Sequence, residues 1–313
     1  MQVGNVTADI RFEIGTLERI FADPDGVLSD VEGFWQTEDA LRFAAGWHGV
    51  VGVPVDYERF RQIAGDIARL SSDERQAHPA LVMVRRVIEQ EERFVRDGIP
   101  HLCAYLPDLP ARLDIRVLFA AGLRANAFVH EHVVIDATSP HWHEGNRSIE
   151  DRASSILNLL VHECWHGGYC ENQAQWTERA LEDDALYRLL INIQNEGTAT
   201  YVNYSARRAF LSPGDPDFVM FEDAEQVAAK FAVMNRILGQ RFSLSADALR
   251  DLAWREGVLG RAFYLGGAHM ARTLDERAGR RALIDTIAAG PASFFDAYDR
   301  VADDRLRVRL GHD

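Results

Sequence analysis

Residues 162–166 read His-Glu-Cys-Trp-His. On a helix, positions four apart lie about 40° apart around the axis and about 6 Å apart along it. His162 and His166 can therefore aim ring nitrogens at one ion. Zinc accepts such nitrogens at about 2.0 Å, and a catalytic zinc site keeps one tetrahedral corner open. Glu163 sits about 100° around the helix from His162, outside the ligand pair but within reach of a water as general base. A third ligand is needed. The candidate is Glu196, in Asn195-Glu196-Gly197-Thr198-Ala199-Thr200-Tyr201. Gly197 inside a helix costs about 1 kcal/mol relative to alanine. The sequence tolerates that cost where two backbones come close, so a helix carrying Glu196 is expected to pack beside the histidine helix, giving a His₂Glu site for Zn2+.

These side chains need elements to hold them. Ser148, with Asp151 three residues on, predicts the start of the histidine helix. Ala153, Ile156, Leu157 and Leu160 give it an apolar face at helical spacing. Gly167-Gly168 predicts its end, directly after His166. A second helical stretch is expected over about 177–208. Upstream, RLDIRVLF (112–119) and NAFVHEHVVID (126–136) are the clearest β patterns, joined by AGLRA, and predict a two-stranded hairpin. Residues 1 to about 106 read as mostly helical. In PALVMVRRVIEQEERFVRDGI, Leu81, Val84, Val87 and Ile88 share one face, and Gly98 and Pro100 predict its end. LSPGDPD (211–217) marks a boundary, and 218–301 read as helices separated near 241, 256, 279 and 290. The expected fold is α+β and mostly helical. Three parts are expected: a helical N-terminal region (1–110), a catalytic core with a small sheet and both ligand helices (111–210), and a helical C-terminal lobe (211–313).

HECWH followed by NEGTATY resembles the gluzincin metallopeptidases, the thermolysin-like and aminopeptidase-like clan. Phe263-Tyr264-Leu265-Gly266-Gly267-Ala268 is similar to the segment in which the aminopeptidase-like enzymes carry an oxyanion-stabilising tyrosine. The resemblance implies a zincin-like fold and a bound Zn2+ held by His162, His166 and Glu196. It further implies Glu163 as base, Tyr264 as oxyanion stabiliser, and a peptide or protein as substrate. It spans roughly residues 112–301 and is strongest toward uncharacterised bacterial zinc-dependent peptidases. Three features depart from the clan. Glu196 follows His166 by 30 residues, the G-x-M-E-N amine-binding motif is absent, and Thr200 stands where thermolysin-like chains carry an aspartate.

The rest of the chain narrows the classes. Its 313 residues are 47% hydrophobic and 26% charged, an ordinary globular mixture, with formal net charge −14. That charge repels a phosphate backbone, so no nucleic-acid partner is expected. Three cysteines do not make a disulfide framework. No basic, apolar leader opens the sequence, and no apolar run approaches the roughly 18 residues of a membrane span. A cytoplasmic setting without membrane contact is the expectation. His130 and His132 share a strand face, and with His141 and His143 are candidates for a second metal site, weighed against solvated loop histidines. His269 is an alternative oxyanion donor, weighed against packing. Cys164, Trp165 and Trp176 read as packing residues, and Glu182-Asp183-Asp184 as a solvated face. Two other classes compete with a hydrolase. A di-iron protein needs a second Glu-x-x-His, and no glutamate other than Glu163 has histidine three residues on. A non-catalytic metal- or peptide-binding protein with a zincin-like fold is the remaining alternative.

Overall fold

The computed structural model describes residues 2–3, 6–37, 40–42, 44, 55–107, 112–123, 126–129, 132–173, 185–211 and 215–308. The described part is mostly helical and carries one small mixed sheet, as an α+β reading requires. The chain divides into two compact units. The first comprises residues 1–100, 112–167 and 209–213, and the second comprises 101–111, 168–208 and 214–313. Among the described residues no helix is long and apolar enough to cross a membrane.

The first unit holds the sheet. Its strands are β1 (Gln2–Val3), β2 (Val6–Glu13), β3 (Arg112–Ala120), β4 (Ala127–Val129) and β5 (Val133–Asp136), in the order β1-β2-β3-β5-β4. β2 runs parallel to β3, from Thr7 opposite Arg112 to Glu13 opposite Leu118. This strand falls in the stretch read as mostly helical, although Val6, Ala8, Ile10 and Phe12 alternate as a strand should. The expected hairpin between 112–119 and 126–136 is also corrected. β3 pairs with β5 in parallel, Val117 opposite Val133, and the antiparallel turn-back lies within 126–136, where Ala127 faces Ile135. The β-rich run is two short strands folded on each other, and the second of them occupies the flank of β3. Val117, Leu118 and Phe119 are fully buried at this centre. Around the sheet, Phe34, Trp35 and Phe60 cluster with ring centroids 5.1–5.7 Å apart.

The helix Pro79–Ile88 buries Leu81, Val84 and Val87 as its spacing predicts, while Ile88 is half-buried. The single helix expected over 79–99 is broken by a turn at 89–90, and Gly98 and Pro100 do not stop the helical path that resumes at Glu91. A π-helical turn (Phe94–Gly98) leads straight into a helix over Ile99–Cys103. Proline lacks the N–H that a regular helix would need from it, and it is tolerated here in the first turn after the π-turn. In the second unit the helices Pro216–Glu222, Ala224–Gln240, Ala246–Leu252, Ala262–Arg277, Arg280–Ala289 and Pro291–Asp299 follow one another. Breaks fall near 241, 279 and 290 as expected. Near 256 there is none: the helix widens into a π-turn over Ala253–Leu259 and ends at Gly260.

Candidate metal centre

The histidines stand on the helix Ile149–Gln173, hereafter the histidine helix. Its start is the expected reciprocal cap. Ser148 Oγ accepts the Asp151 N–H at 3.0 Å, and the Asp151 carboxylate accepts the Ser148 N–H at 3.2 Å. Ala153, Ile156, Leu157 and Leu160 are fully buried. The predicted stop after His166 is overturned: the helix runs through Gly167 and Gly168 to Gln173. Neither glycine adopts the left-handed conformation that a terminating glycine uses, so neither ends the ladder. His162 and His166 are buried, and their Nε2 atoms lie 3.0 Å apart with rings nearly perpendicular. Two nitrogens on one tetrahedral zinc ion stand roughly 3.3 Å apart, so the pair is spaced for a common ion. Glu163 is buried at 7% exposure. Cys164 and Trp165 are buried beside it, as packing residues should be.

Glu196 stands on the helix Ala185–Phe210, the glutamate helix. Buried hydrogen bonds hold its turn in the second unit. Tyr169 Oη donates to Gln194 Oε1 at 2.9 Å, and Gln194 Nε2 donates to the Thr286 carbonyl at 3.2 Å. The close approach expected at Gly197 is present, with a different partner. A methyl group on Gly197 would lie 2.2 Å from the Gly267 Cα, and one on Gly267 would lie 2.3 Å from the Ile193 carbonyl oxygen. Gly267 belongs to the helix Ala262–Arg277, the tyrosine helix that also carries Tyr264. The glycine therefore locks the glutamate helix to the tyrosine helix, where the expected neighbour is the histidine helix. Among the described residues, His162, His166 and Glu196 form one group whose ligand atoms all lie within 4.8 Å of one another, a set able to hold a metal ion. Two imidazole nitrogens and a carboxylate oxygen are the donor set of a three-ligand zinc site, which fits the group the motif implies.

Residues 72–305 match the model of a family described as putative zinc-dependent peptidases. The chain belongs to that family, DUF5700. No curated protein and no solved structure matches it.

Tyr264 is half-buried on the tyrosine helix. The Arg261 guanidinium lies over its ring, 3.2 Å from the centroid, and forks onto Asp217, with Nε donating at 3.2 Å and Nη2 closer still. Burial works against the charge of Arg261, but Asp217, Tyr264 and Glu196 outweigh it and hold its pKa above the usual value. Sequence reasoning missed Arg261 and Asp217. They lie 44 residues apart, and no local pattern links them.

Burial pushes His269 down to about 4, and its ring stands edge-on to Phe231 at 5.5 Å. His143 Nε2 lies 2.8 Å from the Ala137 carbonyl and donates to it, and His141 packs against Trp142 at 4.7 Å. His130, Trp176 and the run 182–184 lie outside the described residues.

Proposed function

We propose that this chain is a zinc-dependent peptide-bond hydrolase working on peptides or proteins. The observation that carries the reading is the meeting of the His162, His166 and Glu196 ligand atoms, in a chain whose family is described as peptidases. His162, His166 and Glu196 would hold the ion, in the manner of the gluzincin clan. A bound zinc ion supplies Lewis acidity, polarising a scissile carbonyl and making water acidic enough to attack near neutral pH. Glu163, buried next to the first histidine, takes the proton of the attacking water and passes it to the leaving amine. The Tyr264 hydroxyl donates a hydrogen bond to the oxygen that gains charge in the transition state, a contribution of about 3 kcal/mol for a donor of this kind. On this reading residues 111–210 supply the ligands and the base, 211–313 supply the oxyanion donor, and the enzyme acts in the cytoplasm.

The test is a digest of a peptide library, read by mass spectrometry, with Glu163→Gln as control. Glu163→Gln is expected to keep about one zinc per chain and to lose about 10²- to 10⁴-fold in turnover. Full turnover in that variant removes Glu163 as the base. Glu196→Ala is expected to lose bound zinc on dialysis; full retention means that the carboxylate is not a ligand.

A further inference from the structure

Arg261 is one of two described non-glycine residues with positive φ, at φ 61° and ψ 15°. A left-handed backbone is unfavourable for any residue with a Cβ and free for glycine. The adjacent Gly260 has its own reason to be glycine, since a Cβ there would lie 2.5 Å from the Glu256 carbonyl oxygen, whereas the left-handed position itself carries an arginine. An arginine kept in that conformation indicates that its side chain is needed. The turn itself is held firmly. Lys230 Nζ donates to the Gly260 carbonyl at 2.7 Å, the Arg261 N–H donates to the Val258 carbonyl at 3.0 Å, and the Arg261 carbonyl accepts the Leu265 N–H at 3.1 Å. From this fixed start the side chain reaches the residue one turn on. Its guanidinium carbon lies over Tyr264, 3.2 Å from the ring centroid, and its Nε and Nη2 both donate to the Asp217 carboxylate. The χ2 torsion of a tyrosine is otherwise broad; it leaves the oxygen in place but turns the ring plane, in which the phenol O–H bond prefers to lie, so a guanidinium packed on the ring face restricts the direction of that bond.

We propose that Arg261, clamped by Asp217, is the positioning residue for Tyr264 and fixes the direction of its phenol hydroxyl. The proposal rests on the reading of Tyr264 as the oxyanion donor for its catalytic consequence, and on the packing alone for its structural one. Arg261 is not a catalytic residue itself. It acts through the ring it covers.

Two measurements on the full-length chain separate these. The protein is labelled with 3-fluorotyrosine, and the Tyr264 fluorine resonance is identified by its loss in Tyr264→Phe. Arg261→Gly suits the left-handed backbone, so the fold is retained while the guanidinium is removed. That variant is expected to move the Tyr264 resonance by more than its linewidth, and Asp217→Asn to move it likewise, with the resonances of buried Tyr169 and Tyr298 unmoved. A Tyr264 resonance that stays in place in both variants overturns the proposal. On a cleaved peptide, Arg261→Gly is expected to lower kcat about ten- to hundredfold at unchanged KM and zinc content, the scale of a misplaced catalytic group. In a Tyr264→Phe background the same change is expected to cost nothing further. An equal loss in both backgrounds shows that Arg261 does not act through the tyrosine, and overturns the proposal. A wild-type chain that cleaves no peptide refutes the hydrolase reading, and the fluorine spectra then decide the role of Arg261 on their own.

Discussion

Gly167 and Gly168 directly follow a proposed histidine ligand, and Gly197 directly follows the proposed carboxylate ligand, yet the two helices use their glycines differently. A methyl group on Gly167 would meet nothing within 4 Å, whereas one on Gly168 would lie 2.3 Å from a methyl of the buried Leu106 side chain. A methyl group on Gly197 would meet backbone atoms of Gly267, which cannot step aside. The histidine helix is thus placed by its apolar face and its cap, with slack at Gly167. The glutamate helix is placed by contact of main chain on main chain, with none. Composition does not distinguish a spare glycine from a required one; only the neighbour does.

The comparison can be broken most easily at Gly197. Gly197→Ala is expected to lose at least about 3 kcal/mol of stability in urea unfolding, at the upper end of overpacking effects, and Gly267→Ala a similar amount. Native-like stability in either variant shows that the two helices have room between them.

The first unit has a constrained residue of its own, governed by charge instead of by space. Asp136 ends β5 fully buried. Burial pushes its pKa from 3.8 up to about 6, against hydrogen bonds that its Oδ1 accepts from Thr138. The folded chain therefore binds this proton more tightly than the unfolded one. The resulting stabilisation is complete below about pH 4 and is lost as the pH rises through about 6. Relative to Asp136→Asn, the native chain is expected to lose about 3 kcal/mol at most between pH 4 and pH 8, read from denaturation at each pH. A pH-independent difference between the two proteins means that the carboxyl titrates as it does in the unfolded chain.

The smallest effect is at the spare glycine. Gly167→Ala, in the middle of the histidine helix, is expected to raise stability by up to about 1 kcal/mol through helix propensity alone. A loss of the size expected at Gly197 would erase the contrast between the helices.

Much of the site was legible because its signals are local. Histidines four apart share a helix face wherever the helix goes, and the Ser148–Asp151 cap needs only its own four residues. Gly197 announced a close contact for the same reason: the cost of glycine in a helix is local, whereas the identity of the helix that touches it is not. The sheet was read less well. The alternation of Val6 to Phe12 was present, but parallel pairing with β3 joins residues more than 100 apart, and turn residues cannot specify such a partner. The pairing of Arg261 with Asp217 is invisible for the same reason, and the left-handed backbone at Arg261 leaves no mark in composition.

The meeting of Gly197 with Gly267 also has a bearing on ancestry. Each position is filled by the other's main chain, so neither can drift alone, whatever reaction the protein performs. A descendant that had given up its metal and its chemistry, and lost every histidine in the process, would still have to carry this matched pair about seventy residues apart. The two glycines are therefore a sounder record of the scaffold's lineage than the residues that a search for enzymes would look for first.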